Sequence, residues 1–299
     1  MTLLQGIILG LVQGAGEFLP ISSSGHLAVA QRLLGLDDVP LLFDVTLHLS
    51  TLVVVVLFFR KKIWALLRAF GRLCARRPAP SVAEGLGGEQ DALVRERNLR
   101  AYILAIVLST LVTGVLGIVT EKFIGDMPLV FVFTGFLITA ALLVLTGIAE
   151  RLRLRGKTSF CGGNGVPGEG ESGFEKAPGV VQALIIGAAQ GAGTLPGISR
   201  SGATIAGSIL CGVERRTAGE YSFIVSIPAI LGAFILEMRH VEQLKVSVGL
   251  IPLAAGCAAA FVSGYLALWF LMRLVRKGKL QWFACYLIPL GILGIIFLR

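Results

Sequence analysis

Along the chain, long apolar runs alternate with short basic clusters, and in two places the apolar pattern itself breaks on a polar Gly/Pro/Ser segment. A helix needs about 20 mostly apolar residues to cross a bilayer core. Six stretches meet that length, at roughly 41–59, 99–119, 128–149, 217–236, 246–272 and 280–298. Residues 2–36 and 178–212 do not. Each holds two apolar pieces, too short together for two crossings, around a centre too polar for one. A broken backbone survives inside a membrane only where protein or trapped water satisfies its amides, so both regions predict re-entrant helical hairpins.

The two polar segments are twins. A shift of 177 residues sets Gln13-Gly-Ala-Gly-Glu-Phe-Leu-Pro-Ile-Ser-Ser-Ser-Gly-His26 beside Gln190-Gly-Ala-Gly-Thr-Leu-Pro-Gly-Ile-Ser-Arg-Ser-Gly-Ala203, and 10 of the 23 positions from Gln13 to Gly35 match without a gap. Interrupted polar segments at corresponding points of two halves point to a binding site in repeat-built membrane proteins. The predicted fold class is an all-α polytopic membrane protein, with six transmembrane helices plus two re-entrant helical hairpins in an inverted-topology repeat. The chain reads as one integral membrane domain, 1–299, with repeats at about 1–150 and 178–299 and cytoplasmic linkers at about 76–98 and 156–176.

Charge gives the orientation. At 55% apolar and 15% charged residues the composition is not that of a soluble domain. The net charge of +9 comes from clusters beside apolar spans: Arg60 to Lys62, Arg151 to Lys157 and Arg273 to Lys279. Such clusters mark cytoplasmic ends and speak for a bilayer rather than nucleic acid as the partner. Following the spans from that assignment puts the N-terminus, Glu121 to Asp126, Glu237 to Lys245 and the C-terminus outside. The first hairpin then enters from the outer face and the second from the cytoplasm, with their tips meeting in the membrane. The five cysteines show no metal-type spacing and read as free thiols, and the N-terminus lacks the basic start and cleavage site of a removable signal peptide.

The tips carry the chemistry. In Pro196-Gly-Ile-Ser-Arg-Ser-Gly202 a helix begins whose free amides attract anions, Arg200 offers a planar fork of donors suited to phosphate, and Ser199, Ser201 and Thr204 add hydroxyls. The plainer alternative for Arg200 is pairing with a carboxylate to hold the tip, although an intramembrane arginine is by default a functional candidate. The first tip gathers Glu17, Ser22, Ser23, Ser24 and His26, an acid/base and nucleophile set in which one or two serines only cap the following helix. Asp44 and His48, four residues apart on one helix face, are candidates for supporting or pore-lining groups, or else pair with each other. Glu220 is a candidate counter-ion for Arg200 or for Arg215 and Arg216, and His240 falls in an exposed loop.

Together these segments closely resemble the signature motifs of the bacterial undecaprenyl-diphosphate phosphatases, the membrane enzymes linked to bacitracin resistance. Phe43-Asp-Val45, Glu220-Tyr-Ser-Phe223 and Pro228 extend the likeness over nearly the whole chain outside the two long loops. The resemblance implies hydrolysis of undecaprenyl diphosphate, a polyprenyl diphosphate lipid, to the monophosphate and inorganic phosphate at the outer side of the bacterial inner membrane, recycling the carrier for wall synthesis. It also implies the six-span, two-hairpin inverted repeat reached above. The family's acidic motif falls on Gln13 and Glu17, its serine and histidine on Ser23 and His26, and its Ser-Arg-Ser and threonine on Ser199, Arg200, Ser201 and Thr204. The expected catalytic residues are Glu17, Ser23, His26 and Arg200, and the expected substrate-binding ones Gln13, Ser22, Ser24, Ser199, Ser201 and Thr204. Gln13 departs from the two-carboxylate form and leaves Glu17 as the single acidic centre. A divalent cation, Mg or Ca, is the only cofactor in view, its ligands unknown, and a homodimer is compatible with the sequence. The rival readings are a secondary transporter or polyprenyl-phosphate flippase, a membrane acid phosphatase and a non-catalytic partner-binding protein. Against the acid phosphatase, five residues separate Pro20 from His26 and no His-x-x-x-Asp follows Ser199-Arg200.

Overall fold

The computed structural model describes residues 1–36, 39–75, 89–124, 128–154, 177–238 and 248–298. The second linker, His240, Cys161 and residues 76–88 of the first linker lie outside them. Among the described residues the regular structure is helical throughout. Six segments are long and apolar enough to cross a membrane. They are α3 (Leu41–Phe58), the apolar part of α5 (Glu89–Ile124), α6 (Leu129–Leu154), α9 (Arg215–Glu237), α10 (Leu250–Arg276) and a 3₁₀ turn (Leu280–Phe283) running into α11 (Ala284–Phe297). Their positions follow the apolar runs of the sequence closely. Two features do not. The stretch expected as a linker up to residue 98 is helical from Glu89, and the basic stretch after α3 folds into a further helix, α4 (Arg60–Cys74).

The interrupted regions each form two short helices joined by a turn: α1 (Leu3–Phe18) with α2 (Ser23–Leu33), and α7 (Val180–Ala192) with α8 (Arg200–Leu210). The same devices recur 177 residues apart. At the open end, Gln5 accepts from the Thr2 amide at 2.8 Å and its Nε2 donates to the Leu34 carbonyl at 3.2 Å. Gln182 does the same with the Gly179 amide and the Cys211 carbonyl, both at 2.8 Å. One glutamine thus starts the first helix and ties it to the end of the second. At the tip, the hydroxyls of Ser22 and Ser199 cap α2 and α8 by accepting from the amides of Gly25 and Gly202. A Cβ on Gly16 would lie 2.9 Å from Ser23 Cα, and one on Gly193 would lie 2.5 Å from Arg200 Cα. Only glycine lets each pair of helices close this tightly.

Packing is reciprocal between the halves. Helix α1 lies along α10, where Gly6, Gly10 and Gly14 press on the backbone of Pro252, Gly256 and Ala260, while α7 lies along α5. Small residues at such spacing let helix backbones approach where lipid offers no hydrophobic drive. Helix α3 packs on α9, α6 on α11, and both α2 and α8 reach α6. At the basic end, ion pairs join neighbouring helices, Arg72 with Glu96 at 2.7 Å, Arg215 with Glu150 at 2.5 Å and Lys62 with Glu220 at 2.8 Å, and within α9 Arg216 also meets Glu220, at 2.9 Å. Glu220 is therefore the partner of Lys62 and Arg216, while Arg200 finds its carboxylate elsewhere. Among the described residues Cys74, Cys211, Cys257 and Cys285 form no disulfide.

Candidate active site

The two turns face each other across a cavity of about 240 Å³. From the first pair of helices come Glu17, Ser23 and Ser24, from the second Gln190, Thr194, Ser199 and Arg200, and from the spans His48, Thr113 and Ile230. Glu17 is the centre of the arrangement. Its Oε1 pairs with Arg200 Nη2, a contact between residues 183 positions apart. Its Oε2 accepts from Gln13 Nε2 at 2.9 Å and from Ser23 Oγ at 2.8 Å, and lies 3.3 Å from His48 Nε2. Glu17 keeps only 8% of its surface exposed and Gln13 none. Buried charge is tolerated when it is paired and its remaining lone pairs are bonded, and both conditions hold here.

Ser23 opens α2, and its hydroxyl proton points at a carboxylate oxygen. That is the geometry of a nucleophile beside its base. The turn before it is strained: Ser22 has φ 72°, the one left-handed residue other than glycine among the described residues. In the second turn the left-handed position belongs to Gly197, at φ 88°, which lets the chain pass the Val132 carbonyl of α6. Arg200 is the first residue of α8 and lines the cavity with the Ser199 cap, at the helix end that favours anions. Ser201 and Thr204 stand behind the pair, lining with Glu17, Arg200 and Ser222 a small recess of about 10 Å³, the size of one water. There Thr204 shares a hydrogen bond with Ser222.

The two histidines are placed differently from what the motif spacing suggests. His26 is absent from the cavity lining. Its Nδ1 meets the Ser22 carbonyl at 2.8 Å, its Nε2 meets the Tyr286 hydroxyl at 2.8 Å, and its ring lies between Phe136 and Tyr286. His48 lines the cavity instead. Its Nδ1 sits 2.8 Å from the Asp44 backbone carbonyl, which can only accept, so Nδ1 carries the hydrogen. Nε2 therefore turns toward Glu17 Oε2, a contact that attracts only with a proton on one side of it. Asp44 itself accepts from Gln31 at 2.8 Å through its side chain, so the pair is not closed on itself. Sequence spacing found the shared face of Asp44 and His48 but not which carboxylate the imidazole meets.

The donor set does not suit a cation held by protein groups alone. Among the described residues no three His, Cys, Asp or Glu side chains cluster as metal ligands. Glu17 is the one carboxylate lining the cavity, and both of its oxygens are engaged. What the arrangement can do is bind an anion at Arg200 and the α8 amides while an activated hydroxyl faces it.

Comparison with known proteins gives the same direction. Residues 6–293 match the family described as bacitracin resistance protein BacA. The chain is 40% identical over 293 residues to an undecaprenyl-diphosphatase of Treponema denticola, covering 98% of this chain and 96% of that one. It is 36% identical to an undecaprenyl-diphosphatase of Desulforapulum autotrophicum, with 99% and 98% covered, and 35% identical to one of Carboxydothermus hydrogenoformans, with 98% and 96% covered.

Proposed function

The chain belongs to the bacitracin resistance protein BacA family, and from that premise we propose that it hydrolyses undecaprenyl diphosphate to undecaprenyl phosphate and inorganic phosphate within the membrane. The observation that carries this reading is the meeting of Glu17, Ser23 and Arg200 in one cavity between the two helix pairs.

In the free protein Arg200 is paired with Glu17. An arriving diphosphate offers Arg200 a more highly charged partner, and with Ser199 and the start of α8 the guanidinium holds the terminal phosphoryl group, while Ser201 supports Ser199 from behind. Glu17 thereby loses its cation and becomes a stronger base at the moment a base is needed. The Ser23 oxygen attacks the terminal phosphorus, its proton passes to Glu17 Oε2, and the bond to the lipid monophosphate breaks. That leaving group is a stable anion and needs no proton. Water then attacks the phosphoserine, its proton passing to His48 Nε2, while Glu17 returns the proton it holds to the departing Ser23 oxygen, and inorganic phosphate leaves. His48 is the imidazole of this scheme, since its Nε2 already faces Glu17. His26 holds the Ser22 carbonyl and so the start of α2. Gln13 orients Glu17 through its amide, and Ser24, Thr204 and Ser222 support the two helix starts. No step is routed through a cation.

We read the two helix pairs as re-entrant hairpins and the halves, about 1–150 and 178–299, as an inverted repeat. The support is the recurrence of caps, glycines and tying glutamines at one offset, together with reciprocal packing of α1 on α10 and α7 on α5. Charge places the basic helix ends in the cytoplasm. On that assignment His48 of α3, Thr113 of α5 and Ile230 of α9 all fall in the outer parts of their spans, so the cavity faces the periplasmic side of the inner membrane.

Purified protein in detergent, given undecaprenyl diphosphate, is expected to release inorganic phosphate. A transporter or flippase built on the same architecture releases none, because detergent leaves no compartments to move lipid between. Absence of phosphate release from well-folded protein overturns the reading.

A further inference from the structure

Helix α4 is used by neither the site nor the membrane crossings. It runs for 15 residues, Arg60-Lys-Lys-Ile-Trp-Ala-Leu-Leu-Arg-Ala-Phe-Gly-Arg-Leu-Cys74, with basic residues throughout and no acidic one. One side faces the protein: Leu66 and Ala69 are buried, Lys62 turns inward to Glu220, and Arg72 reaches Glu96 of α5. These contacts fix the rotation of the helix. At 100° per residue, the opposite side then divides into two adjoining strips. Trp64, Leu67 and Phe70 form the apolar strip, with 56%, 55% and 48% of their surface exposed. Lys61 and Arg68 form the basic one, and Arg60, the first residue of the helix, falls between Leu67 and Trp64; all three are exposed. Trp64 stands at the seam, with the Arg68 guanidinium 5.1 Å from its ring centre.

A purely apolar exposed face would fit the acyl region, and a purely basic one would fit water. A narrow apolar strip edged by positive charge that meets no carboxylate among the described residues, with tryptophan at the boundary, fits the headgroup layer of a negatively charged leaflet. The helix is also placed for it, beginning one residue after the span α3 ends. We infer that α4 is a docking surface for anionic phospholipid, lying in the plane of the cytoplasmic headgroups with Trp64, Leu67 and Phe70 turned into the leaflet and Arg60, Lys61 and Arg68 engaging acidic headgroups. The inference rests on α4 and its neighbours alone and stands apart from the phosphatase reading.

The test uses Trp64 as its own reporter. The chain has three tryptophans, so Trp269→Phe with Trp282→Phe leaves one. That protein is reconstituted into phosphatidylcholine vesicles carrying equal minor fractions of brominated phosphatidylglycerol or of brominated phosphatidylcholine. Brominated phosphatidylglycerol is expected to quench Trp64 about twofold or more strongly than the brominated choline lipid, from its enrichment at the basic strip. The excess disappears in high salt, which screens exposed charge, and in the triple variant Arg60→Gln, Lys61→Gln, Arg68→Gln. Equal quenching by the two lipids means the face does not select charge, and no quenching means the helix stands clear of the leaflet. Either result overturns the inference. The high-salt arm keeps the test decisive if the triple variant fails to fold.

Discussion

The hairpin α1–α2 and the hairpin α7–α8 share a backbone plan and differ in what they carry. At equivalent positions, Gly16 answers Gly193, Ser22 answers Ser199, Ser24 answers Ser201 and Gln13 answers Gln190. The frame was kept where it makes the fold. Among the positions that break the likeness are Glu17 against Thr194 and Ser23 against Arg200, and all four of these residues line the cavity. A carboxylate with a hydroxyl on one side and a guanidinium on the other is a division of labour that a symmetric pair could not supply. Two acids would repel and two arginines would leave no base. The glutamines show the consequence. Gln13 donates to Glu17 at 2.9 Å, whereas Gln190 has no carboxylate to meet and turns to Thr113 at 3.1 Å and to the Val225 carbonyl.

The comparison can be broken most severely at Ser23. If the first hairpin supplies the nucleophile, Ser23→Ala loses turnover on the order of 10³-fold or more, with Glu17 and Arg200 left in place. Rapid-quench measurement of undecaprenyl phosphate, the product of the first step, should show no burst in this variant. A burst equal to that of the parent removes Ser23 from the role and leaves water as the attacking group.

A smaller effect separates the two histidines. His48→Leu takes away the proton-bearing group opposite Glu17 and is expected to cost on the order of 10²-fold in kcat, the lower end for a general acid or base. His26→Leu removes a helix-start contact on the far side of α2 and should cost less than about tenfold, below that floor. Steady-state kinetics on both variants decides it. The reverse order of losses returns the catalytic imidazole to His26.

The smallest effect concerns the frame. Alanine at Gly193 would place a methyl group 2.5 Å from Arg200 Cα, against 2.9 Å from Ser23 Cα for alanine at Gly16. Both variants should lower the thermal unfolding midpoint in detergent, by about 1–3 kcal/mol of overpacking, with Gly193→Ala the worse. A tolerated Gly193→Ala contradicts the close approach of the two helices of the second hairpin.

Much of this was legible in the sequence, for identifiable reasons. Apolar run length set the six spans, and the broken runs at residues 2–36 and 178–212 became helix pairs because neither half was long enough to cross alone. Glu17, Ser23 and Arg200 stand out in the sequence because charge and hydroxyls in an apolar context carry signal by themselves, and the fold brings them to one cavity. The histidines were not resolved, since spacing along a helix fixes a Cβ and not the direction of a ring. His26 is turned by the Ser22 carbonyl and held between Phe136 and Tyr286, partners that lie 110 and 260 residues away. Helix α4 is missed by apolar run length because its basic residues break the run, although its apolar and basic positions keep a helical period. The buried corner of Leu66 and Ala69 that gives the helix its orientation exists only once α5 is beside it.

The central claim is that Glu17 and Arg200, on different hairpins, work as one unit, and a double-mutant cycle on phosphate release tests it most directly. Glu17→Gln and Arg200→Gln are each expected to lose on the order of 10²-fold or more in kcat/KM. If the pair acts together, the double variant falls little below the worse single variant, a coupling of the kind contacting residues show. Losses that multiply in full would mean that the two residues act independently and that the hairpins do not form a single site.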